Sequence, residues 1–148
     1  MQKITLQEVK FAAFRLAKER MAFNEPIPDF STRYPGKLES CLSQPFLNFN
    51  QKDLYPGLIS KASILFYLMV KNHPFFNGNK RIALTTLLIF LYKNKFWINI
   101  QDKKMYEFAI KVTKSKPEEK DQTLKNIQNF IRTNIEDIPN IFQSPKDN

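Results

Sequence analysis

Hydrophobic positions recur along this chain mostly at helical spacing. Leu6, Val9, Ala13 and Leu16 share one face of a predicted helix over residues 6–22. Thr5-Leu-Gln-Glu8 marks its start as a capping box: the Thr side chain accepts from the N3 amide and Glu reaches back to the cap. Residues 24–36 hold Pro26, Pro28, Pro35 and Gly36 and read as a loop. A short helix over 37–43 ends before Pro45, and Phe46 to Asn50 alternates weakly, as half of a small hairpin does. Leu54, Leu58, Ala62, Leu65 and Met69 mark the buried face of the next helix, with Asp53 as predicted cap and Pro56 in its first turn. It must stop near Asn72, because Pro74 disfavours the α conformation at His73.

Another helix runs from near Asn79 to about Lys93. Its stretch Ile82 to Tyr92 is apolar nearly all round, the pattern of a central, enclosed helix. Phe96-Trp97-Ile98 reads as a short extended connection, and Met105, Phe108 and Val112 mark a further helix. Ser115-Lys-Pro-Glu118 reads as a second capping box with Pro117 in the first turn. Leu124, Ile127, Ile131 and Ile135 carry the last helix, and the polar residues 139–148 are expected to fray. No repeat and no interdomain linker interrupts the chain. The expectation is one all-α domain over 1–148, a bundle of about six helices with a small β-hairpin.

Composition removes several functions. One Cys excludes an internal disulfide, and one Cys with one His cannot build a zinc site of those ligands. Three separated glycines, Gly36, Gly57 and Gly78, exclude both GxxxxGK(S/T) and GxGxxG. Any nucleotide phosphates must be held another way. The N-terminus has no apolar signal region and no apolar run is long enough to span a bilayer, so a soluble cytoplasmic protein is expected. The net charge is +9, and residues 51–100 carry +6 of it, with 7 basic side chains and only Asp53 acidic. That field favours an anion. The lysines are scattered singly, which suits a phosphate-bearing ligand or an acidic protein better than general nucleic-acid binding.

The segment His73-Pro-Phe-Phe-Asn-Gly-Asn-Lys-Arg81 lies between two apolar helices. It gathers the only His, one glycine, two amides and two cations into nine residues. Taken singly, a His before Pro is more often a cap, Asn-Gly a turn and Lys-Arg a solvated face. Together they describe a cradle. Lys80 and Arg81 fall in a first helical turn, where cations are unfavourable by roughly 0.3–1 kcal/mol each. Free amide N–H groups point outward there, and a bound anion resolves both problems. Gly78 can take positive φ, Arg81 can grip two phosphate oxygens, and Lys80 acts as a point charge. His73, one short loop earlier, can take a proton from an attacking hydroxyl. Asn77 can offer an amide oxygen to Mg²⁺.

This segment resembles the Fic/Doc signature His-x-Phe-x-(Asp/Glu/Asn)-Gly-Asn-(Gly/Lys)-Arg. With Lys80 it is similar to the Doc branch, the "death on curing" toxins. Gly36-Lys-Leu-Glu-Ser-Cys-Leu-Ser-Gln-Pro45 is similar to the Doc-type stretch GLLESALARP, and Asp53-Leu-Tyr-Pro56 and Leu87 to Leu91 also fit, so the resemblance covers about residues 36–95. It implies an all-α Fic fold acting with ATP and Mg²⁺. His73 would deprotonate a target Ser, Thr or Tyr hydroxyl, and Phe75 would anchor the loop. Asn77 would take the metal-binding position, Gly78 and Asn79 would form the anion hole, and Arg81 would pair with phosphates. Residues 43–51 would be the flap that aligns the target chain. On that basis Arg81→Ala weakens nucleotide binding and leaves the helical fold intact.

Three departures bear on the branch. Asn77 replaces the commoner Asp or Glu, Lys80 the Gly of adenylylating Fic enzymes, and Leu84 their second Arg. The last two favour Doc, whose branch uses ATP as phosphate donor, with elongation factor Tu the known kind of target and a small Phd-like antitoxin as inhibitor. Ser115-Lys-Pro-Glu-Glu119 is followed by Lys120 and so does not complete the family's inhibitory (Ser/Thr)-x-x-x-Glu-(Gly/Asn). The alternatives are a Fic-type protein adenylyltransferase, a non-catalytic basic binding module and, more remotely, a Cys41–His73 hydrolase.

Overall fold

The structure is a computed structural model that describes residues 1–20 and 25–138. Residues 21–22 of the first predicted helix and the polar stretch 139–148 lie outside the described residues. The described chain is mostly helical, 66% of it in six helices, as the spacing of apolar residues predicts. Helix α1 is continuous through Leu6–Glu8, a π-helical turn at Val9–Ala13, and Phe14–Arg20. Its capping box is present: Glu8 N donates to Thr5 Oγ1 (3.2 Å) and Thr5 N to Glu8 Oε1 (2.8 Å). Helix α2 is Lys37–Ser43, and a 3₁₀ turn at Gln44–Phe46 takes up Pro45.

The hairpin pairs β1 (Asn48–Phe49) with β2 (Lys52–Asp53) around Asn50 and Gln51, both at positive φ as a two-residue turn of this twist requires. Here two expectations fail. Asp53 does not cap the following helix, because its carboxylate accepts from Lys61 Nζ (3.0 Å). Leu54 is 50% exposed, because its N–H donates to Leu47 O and keeps it on the hairpin ladder. Helix α3 is Gly57–Lys71 and α4 is Asn79–Lys93.

Beyond them come β3 (Phe96–Ile98), α5 (Asp102–Lys114), a 3₁₀ turn at Pro117–Glu119, α6 (Lys120–Asn134) and β4 (Ile135–Asp137). The second capping box is displaced. Ser115 Oγ turns back to Val112 O, and Glu119 rather than Glu118 accepts from Lys116 N (2.9 Å). Ile135, expected on the last helix, pairs instead with Ile98 in the antiparallel β3–β4 ladder. The edge of β3 offers unpaired backbone groups, and the chain leaving α6 satisfies them.

The core forms where α3 and α4 lie side by side, with α1 and α5 against α4 and α6 against α3. Ile64, Phe66, Ile82, Leu88 and Phe90 are among the fully enclosed side chains. Among the described residues no helix is long and apolar enough to cross a membrane.

Candidate active site

The segment His73 to Arg81 is the connection between the two central helices. Helix α3 ends at Lys71, and Asn72 is its C-cap. His73 then takes φ +46, the left-handed region, uncommon outside glycine though tolerated by His. Pro74 disfavours the right-handed α conformation there, and the neighbours determine which alternative is used. Tyr34 N donates to Pro74 O (2.9 Å). Asn79 Oδ1 accepts from Phe75 N (3.0 Å), and its Nδ2 donates to Phe75 O (2.6 Å). Phe75 itself is 1% exposed, edge-on to Phe14 with ring centroids 5.1 Å apart.

These two bonds fix the orientation of the Asn79 amide. Its NH₂ therefore faces His73 Nδ1, at 3.5 Å. The imidazole is exposed, and among the described residues no hydrogen-bond partner meets its other nitrogen. For Nε2 to accept a proton the ring must carry its hydrogen on Nδ1, which the facing NH₂ opposes. At 3.5 Å that opposition is weak.

Gly78 precedes α4 at φ +74, and Asn77 Oδ1 accepts from its N–H (3.0 Å). A Cβ at Gly78 would lie 2.8 Å from Pro26 O, closer than side-chain carbons approach backbone. Glycine is thus required twice over, by φ and by the close passage of residues 26–28. We expect Gly78→Ala to lower stability by about 1–3 kcal/mol, read by urea unfolding. An unchanged midpoint would mean that the Pro26 segment yields freely.

The two cations behave differently from expectation. Arg81 is 7% exposed, and its guanidinium points into the protein. Nη2 donates to Ala17 O (2.8 Å) and Nη1 to Glu25 O, while Nε is buried with no partner among the described residues. The fork sequence reasoning assigned to phosphate oxygens is spent on carbonyls. Lys80 stays near the surface, its Nζ 3.5 Å from the Glu25 carboxylate. Glu25 also accepts from Tyr106 Oη (2.9 Å), and burial together with that carboxylate pushes the Tyr106 hydroxyl up to about 12. Glu25 carries no local signal in the sequence that ties it to this site.

The wall facing the imidazole also differs. A cleft of about 510 Å³ runs between Pro35, Gly36, Lys37 and Ser40 on one side and Lys71, Asn72 and His73 on the other. That volume falls within the range of small-molecule sites. The hairpin expected as flap roots elsewhere. Phe46 packs edge-on to Phe90, and Asp53 is tied to Lys61. At 1.5 Å rise per residue both anchors lie roughly 15 Å along their helices from the His73 loop. Residues 34–40, rather than 43–51, border the candidate base. Cys41 is buried, and burial raises its thiol to about 11. A thiol held protonated is a poor nucleophile, which removes the support for a Cys41–His73 hydrolase.

Comparison with curated proteins and with solved structures finds no match. A family model does match, that of the Fic/DOC family, over residues 3–91. The matched span runs from the α1 capping box through the His73–Arg81 loop to Leu91 of α4, leaving α5 and α6 beyond it. More than half of the sequence is covered, and the chain belongs to the Fic/DOC family, whose members transfer nucleotide or phosphate groups onto proteins.

Proposed function

We propose that the protein is a Doc-like toxin that moves the γ-phosphoryl group of ATP onto a hydroxyl of a target protein and so inhibits translation. The observation that carries the choice of phosphate over nucleotide transfer is the pair Lys80 and Leu84. Lys80 places a four-carbon side chain in the first turn of α4, where adenylylating relatives have glycine. Leu84, one turn on, is 1% exposed and belongs to the core, so no second cation is supplied there.

In this reading His73 takes the proton from the target hydroxyl, whose oxygen attacks the γ-phosphorus. The bond to the bridging oxygen breaks, and ADP leaves. The first-turn N–H groups of α4, behind Gly78 and Asn79, face the charge on the transferring group, and the Lys80 ammonium would join them by leaving the Glu25 carboxylate 3.5 Å away. Arg81 supports that turn from below rather than gripping phosphate. Among the described residues no group of three or more His, Cys, Asp or Glu is placed to hold a metal ion. Mg²⁺ would be carried mainly by the phosphates and water, with the Asn77 amide oxygen as a single protein ligand through the lone pair that Gly78 N–H leaves open. The ion would neutralise phosphate charge. A Phd-like antitoxin and elongation factor Tu are the partners this reading assigns, and the basic middle third suits an acidic antitoxin.

The test is incubation of the purified protein with a cell lysate and ATP labelled at either the γ or the α position. Transfer of γ-label to protein is expected. Transfer of α-label alone would replace this reading by protein adenylylation.

A further inference from the structure

Lys71 is the last residue of α3, two positions before His73. Its half-buried ammonium crosses to the far end of α5 and donates to Ser115 O (2.6 Å), Thr113 O (3.1 Å) and Val112 O (3.4 Å). Carbonyls at a helix C-terminus lack intrahelical donors and carry partial negative charge. One ammonium has three protons, and its closer acceptors here are Ser115 O and Thr113 O, since Val112 O already accepts from Ser115 N (3.2 Å) and Ser115 Oγ (2.6 Å). Lys71 therefore caps α5 from another helix.

This cap stands almost next to a residue in an uncommon backbone conformation. His73 sits at φ +46, which persists for a non-glycine residue only where its surroundings over-determine it. On the C-terminal side, Tyr34 N holds Pro74 O, and the Asn79 amide holds both polar groups of Phe75. On the N-terminal side Asn72 N–H donates to Leu68 O (2.9 Å) and closes α3, and Lys71 ties that last turn to a second helix. Its acceptors lie in 112–115, outside the span matched by the family model.

We infer that Lys71 is a positioning residue for His73, and that the end of α5 braces the base through it. The inference rests on the reading of His73 as the base. It gives the C-terminal helices a part in the site that the family motif alone does not contain.

The chain has one His, so the tag-free protein shows a single imidazole Cε1–H signal that needs no assignment. Wild type, Lys71→Met and Lys71→Arg are compared by that signal and by the initial rate of γ-label transfer to lysate proteins. Lys71→Met is expected to broaden or split the signal as the loop leaves its single conformation. The rate at saturating ATP should fall on the order of ten-fold, with the half-saturating ATP concentration unchanged. Lys71→Arg keeps the donors and should restore both. A single sharp signal in Lys71→Met, or equal disturbance in Lys71→Arg, overturns the inference. If Lys71→Met does not fold, Lys71→Gln, with two donors on a shorter stem, should show a weaker form of the same broadening. Absence of label transfer in wild type defeats the transferase reading, and the imidazole signal still decides the brace.

Discussion

With His73 replaced by alanine, γ-label transfer is expected to fall by roughly 10²–10⁴-fold, the usual worth of a positioned general base. The protein should remain folded. His73 is exposed, and among the described residues the polar approach to its ring is the long 3.5 Å one of the Asn79 amide. Removing such a group shifts stability by about 0.5 kcal/mol or less. The backbone at φ +46 complicates alanine, which tolerates that region poorly. His73→Asn removes the complication, because Asn accepts left-handed φ and cannot act as the base. Both variants should lose transfer and growth inhibition together, with circular dichroism unchanged. Transfer at the wild-type rate in His73→Asn would move the chemistry elsewhere. Undiminished growth inhibition in both variants would instead favour a non-catalytic binding module.

What was legible in the sequence was what depends on near neighbours. The Thr5–Glu8 box, the end of α3 before Pro74 and the limits of α4 depend on residues within a few positions of each other, and the structure agrees with each. The candidate site was legible for the same reason: its chemistry is spelled in nine consecutive residues, and no long-range pairing is needed to bring His73 to Gly78.

The displaced second capping box is a local error, settled between Val112 and Glu119, whereas the others have partners beyond the few positions a motif spans. Asp53 looked like a cap because a cap is the commonest use of Asp before an apolar run. It is drawn away by Lys61, which folding puts in reach. Ile135 continued a helical spacing, and only the presence of β3, 37 residues earlier, turns it into a strand. The hairpin was given the role of flap because it is the nearest extended element before the motif. The order of elements does not show that α2 brings Gly36 and Ser40 to the imidazole while the hairpin roots at the other end of the helix pair. Arg81 belongs to the same class, since its two acceptors lie 64 and 56 residues away.

Arg81→Ala is therefore expected to act first on stability, reversing the expectation drawn from the motif. The substitution removes two charge-assisted hydrogen bonds in a nearly closed setting and leaves Ala17 O and Glu25 O without their donor. Such bonds contribute roughly 1.5–3 kcal/mol each, and water entering the space left behind recovers part of that, so the expected loss is about 3–5 kcal/mol. Against a total of about 5–15 kcal/mol typical of a domain, this is a large fraction, visible as a fall in melting temperature on the order of 10 °C. Arg81→Lys should fall between, because one ammonium on a flexible stem cannot span both carbonyls as the planar fork does. The damage should centre where α1 and the segment after it meet α4, since those are the two backbones the guanidinium joins. Hydrogen exchange resolved by peptide should show faster exchange in residues 14–20 and 25–28 than in α5 and α6. ATP affinity, measured by calorimetry below the melting temperature, should weaken only as far as the first turn of α4 is loosened. An unshifted melting temperature with ATP binding abolished would return Arg81 to the phosphates. It would also require the guanidinium to leave its two carbonyls when nucleotide enters.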